Sequence, residues 1–326
     1  MKQNFNCSKL LILGFQGLTP DRQFFSFIEK NPPAGFLLLG ENFKDRRQLK
    51  LLIQALKEAA GEDIIAAVDQ EPGRVQRFRT DFPISNNPDY YTQKGKRMEF
   101  EVWCSETAAA LSECGVNLNL APVLDLSVSE NSNGVLKDRS FGDNPDIVSK
   151  YAAVLIREFQ KLGIKTCGKH FPGLGSAVED PHLRLAVSNS GLAEMRARHI
   201  KPYFSAIAER VECIMTTHLL CRAIDSEKPA TYSSETIKML RTDLNFEGVI
   251  ISDDLFMAGA GINDDIPGSA ERSIRSGHNL IIISRDFGVQ QNMVEHLNKV
   301  CKNDEEFFTQ IDNYTGKIEN LFSHGV

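Results

Sequence analysis

The feature that most constrains the fold of this chain is a regular alternation between short apolar runs and segments with helical periodicity. Most of the apolar runs are continuous and do not alternate with polar residues. Such runs are typical of parallel strands that are covered by helices on both faces. Eight of them recur, at residues 10–17, 35–40, 64–70, 116–126, 165–173, 212–220, 248–255 and 279–286.

The segments between these runs carry apolar residues at helical spacing. Leu49, Leu52 and Leu56 form one apolar stripe, and a capping Asn144 before Pro145 predicts the start of another helix. Further helices are predicted around residues 98–111 and over residues 147–162, 192–209, 233–244, 268–276, 289–300 and 305–322.

Eight strands that alternate with helices across 326 residues predict an α/β fold, namely a (β/α)8 TIM barrel. An open doubly wound sheet is the alternative, and it normally carries a glycine-rich phosphate loop after its first strand. Here Gly14-Phe15-Gln16-Gly17 follows the first run and lacks that pattern. Because no linker divides the chain, we expect a single domain over residues 1–326, with a C-terminal helix at about 303–322 packed on the barrel.

Composition excludes several classes of partner. The chain has 37 basic and 43 acidic residues and a net charge of −6, whereas a sequence-independent nucleic-acid binder needs a basic face. No apolar run approaches the roughly 18 residues that a transmembrane helix requires. We therefore expect no nucleic-acid partner, no membrane partner and a monomeric protein.

The N-terminal segment and the cysteines indicate the compartment. The apolar stretch at residues 10–15 is too short for a secretory signal and is not followed by a small-residue cleavage site. The seven cysteines are scattered and form no CxxC pair, which favours reduced thiols in the core of a cytosolic protein. Both observations predict a cytoplasmic location.

Polar residues cluster where the predicted strands end. In a barrel, the C-terminal ends of the strands form the mouth in which chemistry takes place. An unpaired charge at this position costs several kcal/mol, so a purely structural barrel has little reason to place charges there. We interpret the cluster as a functional rim, although a structural ion network is the alternative. Its members are Asp69, Glu71, Asp125, Lys169, His170, His218, Asp253 and Asp254.

Two loops extend this rim. Arg139 lies in a loop after the fourth strand and could anchor a ligand oxygen through two hydrogen bonds. The segment 173–182 follows the fifth strand, and its glycines allow a mobile lid. Asp180 and His182 lie two residues apart in this lid. A carboxylate near an imidazole fixes its tautomer and suits proton transfer near neutral pH.

Several polar residues have plainer interpretations. Asp125 is expected to hold Lys169 or a neighbouring loop, and Asp254 points away from Asp253 and is expected to act as a cap or a support. His218 either lines the pocket or satisfies the core. The remaining histidines are expected to be surface or packing residues, and they are His199, His278, His296 and His324.

A metal site is a further alternative for the same residues. Asp69, His170, His218 and Asp253 could supply ligands for a metal-dependent hydrolase. The first strand carries no HxH pair, no HExxH motif occurs, and Lys169 would place a cation beside the metal. These observations favour chemistry without a metal.

An ordered set of motifs gives a more specific indication. The set consists of residues 35–39 with Asn42-Phe43, residues 67–77, residues 121–125, residues 138–142, residues 168–175, Asp180-x-His182 and residues 248–257. These segments, in this order, resemble glycoside hydrolase family 3. More narrowly, they are similar to its bacterial β-N-acetylhexosaminidases of the peptidoglycan-recycling type.

The resemblance implies a retaining exo-glycosidase that releases terminal β-linked N-acetylglucosamine from small sugars such as muropeptide fragments. By position in the motifs, Asp253 is the nucleophile, and His182 is the general acid/base with Asp180 as its orienting partner. The sugar hydroxyls are held by the residues at five further positions, namely Asp69, Arg77, Arg139, Lys169 and His170. The implied partner is a small carbohydrate, and no metal and no cofactor are implied.

The chain departs from the family pattern at three positions. Pro72, Leu174 and Pro181 stand where the family usually has Gly, His and Ser. Proline restricts the backbone next to binding or catalytic residues, which affects rate and lid motion more than the chemistry. Two alternatives therefore stay open. One is a family member with another sugar preference or with phosphorylase activity, and the other is a catalytically weak sugar-binding barrel.

Overall fold

A parallel β-barrel forms the centre of the molecule. The computed structural model describes residues 6–127, 134–177, 183–260 and 265–322. Within these ranges eight strands form one sheet with every pairing parallel, and their order in the sheet is Ile281–Ile283, Leu11–Leu13, Gly35–Leu38, Ile65–Val68, Leu118–Asn119, Lys165–Phe171, Cys213–Thr216 and Val249–Ser252. A parallel bridge between Ile251 and Leu280 joins the two ends of this order and nearly closes the barrel. The predicted (β/α)8 TIM barrel is confirmed.

Each of the eight predicted runs contains a barrel strand, although the strands are shorter than the runs. The apolar runs extend into turns on either side, where side chains are still buried but the ladder of hydrogen bonds has ended. The strands are β1 (Leu11–Leu13), β2 (Gly35–Leu38), β3 (Ile65–Val68), β4 (Leu118–Asn119), β5 (Lys165–Phe171), β7 (Cys213–Thr216), β9 (Val249–Ser252) and β10 (Ile281–Ile283).

The run at residues 212–220, which was predicted as one strand, contains two. β7 ends at Thr216, and β8 (Leu219–Cys221) begins after Thr217 and His218. β8 pairs in parallel with β6 (Ala186–Ser188) in a small separate sheet that the sequence did not predict. The chain therefore leaves the barrel at Thr217, which places this residue and His218 beside the mouth.

Helices surround the barrel, and each predicted helical segment contains one. The segments 192–209 and 233–244 are interrupted by π-helical turns at Met195–His199 and Met239–Asp243, and α1 and α3 were not predicted. The helices are α1 (Arg22–Lys30), α2 (Arg46–Ala60), α3 (Pro88–Thr92), α4 (Arg97–Cys114), α5 (Pro145–Gln160), α6 (Leu192–Glu194), α7 (Lys201–Ala208), α8 (Ser234–Lys238), α9 (Ile266–Ser276), α10 (Phe287–Asn303) and α11 (Glu305–Phe322).

The hydrophobic core fills the space between the strands and the helices. Leu11, Leu13 and Phe36 are fully buried in its larger part, and Leu49 and Leu56 of the predicted α2 stripe pack into the same part. All seven cysteines are buried with free thiols. In the portion of the chain that the structure describes, no helix is both long and apolar enough to cross a membrane.

One testable consequence concerns Gly35, where β2 comes very close to β3. A Cβ at this position would lie 2.2 Å from the Ile65 carbonyl oxygen and 2.4 Å from the Ile65 Cβ. Gly35→Ala must therefore push the two strands apart, and we expect a loss of about 2–3 kcal/mol in the free energy of unfolding. Thermal and urea unfolding measure this loss.

Gly316→Ala in α11 is the matched control, because a Cβ there meets no atom within 4 Å. Alanine is the better helix former, so the control is expected to unfold at the same free energy or up to about 1 kcal/mol higher. Equal stability of the two variants would contradict the close approach of β2 and β3.

Candidate active site

A polar cavity opens at the C-terminal ends of the barrel strands. Its volume is about 540 Å³, which is within the range of small-molecule sites. Six of the sequence-predicted site residues line it, and they are Asp69, Arg77, Arg139, Lys169, His170 and Asp253. Apolar side chains of Leu37, Leu120, Met215, Met257 and Ile282 also contribute to the wall. The barrel thus brings residues from seven strands or the loops that follow them to one cavity.

A buried network of charges forms one side of this cavity. Lys169 Nζ lies 2.7 Å from Asp69 Oδ1 and 2.6 Å from Glu71 Oε1. Arg139 donates two hydrogen bonds of 2.8 Å to the same Glu71, one from Nε and one from Nη2. The Lys169 and Glu71 side chains are 2% and 0% exposed, so these charges are paired away from water. Such a cluster is tolerable only because each member has partners of opposite charge.

The network changes the acidity of its members. Burial by itself would raise the pKa of both carboxyl groups, but the neighbouring cations outweigh it. Arg139 and Lys169 lower the pKa of Glu71 from 4.5 to about 2, and Lys169 and Arg77 hold the pKa of Asp69 well below its usual value. In turn, Asp69 and Glu71 overcome the burial of Lys169 and raise its pKa. All these groups are therefore charged at neutral pH.

Arg77 connects this network to the open part of the cavity. Its Nη2 lies 3.2 Å from Asp69 Oδ2, and its side chain is 38% exposed. The Nε atom is buried and has no hydrogen-bond partner within the described residues. An unsatisfied guanidinium donor beside a fixed carboxylate is suited to a polar ligand that carries hydroxyl groups.

His170 is held by a buried carboxylate on the neighbouring strand segment. Asp125 Oδ2 lies 2.6 Å from His170 Nδ1 and accepts a 3.1 Å hydrogen bond from the His170 backbone N–H. Nδ1 faces the carboxylate, so Nε2 is the ring nitrogen turned toward Arg139 Nη2, at 3.4 Å. Asp125 was expected to hold Lys169 or a neighbouring loop; it holds His170 and, through its other oxygen, the segment after β5.

The segment after β5, which was predicted to begin a mobile lid, is also held by Asp125. The backbone N–H of Leu174 donates a 2.6 Å hydrogen bond to Asp125 Oδ1. Before it, Gly173 has a φ of +123° and packs against His199, where a Cβ would meet the His199 Cβ at 2.7 Å. Asp180 and His182, the predicted acid/base pair, lie outside the described residues.

Asp253 follows directly after β9 and faces the cavity. Its Oδ2 accepts a 3.2 Å hydrogen bond from Thr217 Oγ1, and its Oδ1 accepts one of 2.9 Å from the Asp254 backbone N–H. Asp254 also lines the cavity, and it accepts hydrogen bonds from the backbone N–H and the hydroxyl of Ser284 and from the Phe256 backbone N–H, which fits its expected role as a cap or a support. Two fixed donors therefore orient the Asp253 carboxylate at the edge of the cavity.

The other histidines contribute to packing. His218 is buried between Thr231 Oγ1, at 2.7 Å, and the Asp254 carbonyl oxygen, at 3.0 Å. His278 is fully buried, and burial lowers its pKa to about 4. His199 is also buried, as a packing residue is expected to be, while His296 pairs with Glu271 near the surface. His324 lies outside the described residues.

The sequence placed Glu71 in the polar rim without a role, and it did not distinguish Thr217. Glu71 is two residues after Asp69, and this spacing places both side chains on the same face of an extended segment. Thr217 had no comparable signal, because its contact with Asp253 depends on where β7 leaves the barrel.

The described residues contain no metal centre of the usual kind. No group of three or more His, Cys, Asp or Glu side chains in these parts of the chain is arranged to hold a metal ion. At the cavity, Lys169 occupies the position between Asp69 and Glu71 where a cation would bind two carboxylates.

The fold and the cavity define the class of (β/α)8 enzymes that act on small polar substrates at the mouth of the barrel. Comparison with known proteins makes this specific. The family model described as "Glycosyl hydrolase family 3 N terminal domain" matches residues 8–321. The chain therefore belongs to glycoside hydrolase family 3, and the resemblance identified from its motifs is confirmed.

Curated relatives and solved structures agree with this assignment. A beta-hexosaminidase of Tolumonas auensis is 33% identical over 276 residues, which cover 83% of this chain and 81% of the relative. NagZ from Neisseria gonorrhoeae, solved in complex with N-trifluoroacetyl-D-glucosamine, is 28% identical with a TM-score of 0.78 over 96% of this chain and 93% of that one. A family 3 β-N-acetylglucosaminidase from Paenibacillus sp. str. FPU-7 has a TM-score of 0.91 at 24% identity, and this chain spans 64% of that longer chain.

The charge network generates a prediction for stability. Glu71→Gln leaves Lys169 and Arg139 buried with one carboxylate fewer, and we expect a loss of about 3 kcal/mol in the free energy of unfolding at pH 7. Because the pKa of Glu71 falls from 4.5 to about 2 on folding, its contribution is complete above about pH 4.5 and is lost as the pH falls toward 2. Urea unfolding of both proteins between pH 7 and pH 3 measures the difference.

Glu113→Gln is the control, since its exposed ion pair with Arg46 spans 3.3 Å at the surface. This change is expected to cost less than about 1 kcal/mol. A Glu71 variant that is no less stable than the Glu113 variant would show that the buried network contributes nothing to the fold.

Proposed function

We propose that this protein is a retaining exo-β-N-acetylglucosaminidase that releases terminal β-linked N-acetylglucosamine from small carbohydrates. The carrying observation is the placement of Asp253 on the same cavity as the Asp69, Lys169 and His170 cluster, within a family 3 barrel. The names of the relatives support the sugar, since they are beta-hexosaminidases, and the Neisseria structure holds an N-acylated glucosamine derivative.

Asp253 is proposed as the nucleophile. Displacement at an anomeric carbon passes through an oxocarbenium-like state, and a carboxylate beneath that carbon stabilises the charge and can form a glycosyl-enzyme. The hydrogen bonds from Thr217 and from the Asp254 backbone fix the carboxylate in one orientation. Because the carboxylate is already held in one orientation, it loses less conformational entropy at the transition state than a mobile side chain would.

His182, oriented by Asp180, is proposed as the general acid and base. The departing oxygen needs a proton in the first step, and water must lose one in the second, so one imidazole can serve both steps. The assignment of these two residues rests on the sequence motif. The hydrogen bond from Leu174 to Asp125 supports this assignment indirectly, because it fixes the segment that precedes Asp180 and His182 in the sequence.

The sugar is proposed to bind against the charge network. Asp69 and Arg77 can accept from and donate to neighbouring hydroxyls, while the His170 Nε2 edge and Lys169 lie deeper in the cavity. Arg139 already donates to Glu71, to the Val135 carbonyl and toward His170, which leaves one Nη1 hydrogen for a ligand. Its main contribution is therefore to hold Glu71 and His170 in place.

The finer assignments follow from the proposed activity. We propose that the natural substrates are muropeptide fragments released during peptidoglycan recycling, that the enzyme is cytoplasmic and monomeric, and that it needs no metal or other cofactor. The competing hypotheses are a phosphorylase and a glycosidase with another sugar preference. An assay with two chromogenic sugars, with and without phosphate, distinguishes these three activities.

The activity test is the release of a chromogenic aglycone from a β-N-acetylglucosaminide, compared with the matching β-glucoside. We expect turnover of the N-acetylated sugar without added metal or phosphate, and Asp253→Ala should lower kcat/KM at least about 10³-fold because it removes the nucleophile. Asp312→Ala, at an exposed position of α11, is the control and should be fully active. Cleavage that requires phosphate would indicate a phosphorylase, and a folded wild-type protein that cleaves neither sugar would exclude a general glycosidase.

A second prediction concerns Asp125. Asparagine has one acceptor oxygen where Asp125 has two, so its NH2 group must face either His170 or the Leu174 N–H, and the turn that carries His170 loses part of its support. Asp125→Asn should raise KM for the N-acetylglucosaminide about tenfold, which corresponds to one hydrogen bond. Ser140→Ala is the control, because Ser140 donates to the Asp125 carbonyl and leaves the carboxylate contacts intact. Equal KM values in the two variants would contradict a role of Asp125 in positioning His170.

A further inference from the structure

Two thiols are in direct contact at the end of the barrel that is opposite the cavity. Cys7 Sγ lies 3.2 Å from Cys301 Sγ, although the two residues are 294 positions apart in the chain. Cys7 is fully buried and Cys301 is 4% exposed. Cys7 precedes β1, so it lies at the N-terminal end of the strands, whereas the cavity lies at their C-terminal ends.

The backbone on both sides holds this contact in place. Cys7 begins a short 3-10 helix (Cys7–Leu10), which is capped by the Asn6 side chain. The Cys7 backbone N–H donates a 3.0 Å hydrogen bond to Asn298 Oδ1, one turn before Cys301 on α10. The thiols are therefore brought together by a fixed arrangement of two elements. A disulfide needs its sulfurs at about 2.05 Å, so they must approach by about 1.2 Å, which small side-chain rotations can supply.

From this geometry we propose that Cys7 and Cys301 form an intramolecular disulfide bond in the presence of a low-molecular-weight disulfide such as oxidised glutathione. In the first step one thiol, as its thiolate, attacks the small disulfide, forming a mixed disulfide and releasing one small thiol. In the second step the other cysteine attacks the mixed disulfide, forming the Cys7–Cys301 bond and releasing the second small thiol. The two protein thiols are oxidised, and the small disulfide is reduced to two thiols that carry the two protons.

The closed structure controls when this exchange takes place. The hydrogen bond to Cys301 and burial raise the pKa of the Cys7 thiol far above its usual value, so the reactive thiolate does not form in the packed protein. Exchange therefore requires the 3-10 helix near the chain end to open, or it precedes final packing during folding. We expect slow oxidation of the folded protein and fast oxidation during refolding.

The bond would join the two ends of the barrel sequence. β1 pairs with β10, and the Cys7–Cys301 link connects the segment before β1 to the helix after β10. The link encloses residues 7–301, and cross-links that close long loops restrict the unfolded chain most strongly. Its position away from the cavity predicts a change in stability without a change in catalysis, so the proposal does not depend on the proposed function.

The test uses the full-length protein, refolded from denaturant with a mixture of reduced and oxidised glutathione or with excess dithiothreitol. Intact mass and peptide mapping without reduction should show, after the first treatment only, the loss of two hydrogens and a linked pair of peptides that contain Cys7 and Cys301. The melting temperature of the linked form should be about 5 °C higher than that of the reduced form.

Cys7→Ser and Cys301→Ser should each abolish both the linked peptides and the redox dependence of the melting temperature. Cys114→Ser, at a buried thiol on α4 whose Sγ lies 3.8 Å from the Arg46 carbonyl, should keep both. Absence of the linked peptides in the oxidised wild-type protein would overturn the proposal, as would a link between other cysteines. Because mapping of the wild-type protein decides the question, failure of a variant to fold leaves the test intact.

Discussion

The buried pairing of two carboxylates with two cations at the barrel mouth is the interaction on which the site depends. Lys169 on β5 contacts both Asp69 and Glu71, which follow β3. Arg139, in the loop after β4, forms a salt bridge with Glu71. A single one of these charges would be unstable away from water, so they can be buried only as a group. Because Lys169 and Asp69 are 100 residues apart, the network joins distant parts of the barrel and fixes the polar wall before a ligand arrives.

A second layer of contacts orients the groups that face the cavity. Asp125 holds both His170 and the Leu174 backbone N–H in the segment after β5, and Asp254 is anchored to Ser284 on the neighbouring strand end. Asp253 is held by Thr217 and by the Asp254 backbone N–H, so the two adjacent carboxylates have separate partners. These contacts orient the polar wall of the cavity, whereas the proposed proton-transfer groups, Asp180 and His182, lie outside the described residues.

Much of the fold could be predicted because its signal is local. Continuous apolar runs identified the eight barrel strands, and helical spacing identified most of the helices that cover them. β6 was missed because Ala186-Val187-Ser188 does not belong to a longer apolar run, and β8 was merged with β7 because only Thr217 and His218 separate them. Glu71 was placed in the rim without a role, since its importance comes from partners on other strands rather than from its own segment.

The barrel, the family and the polar residues at the strand ends could all be recognised from the amino-acid sequence, because each appears in short contiguous segments. The pairing of side chains depends on the folded chain: Lys169 with two carboxylates, Asp125 with His170, and Cys7 with Cys301. Those pairs depend on strand register and on closure of the barrel, which bring together residues that lie tens to hundreds of positions apart. A local sequence pattern cannot predict these contacts. The physical reason is that the partner of a charge or a thiol is the group that the fold brings within a few ångströms of it.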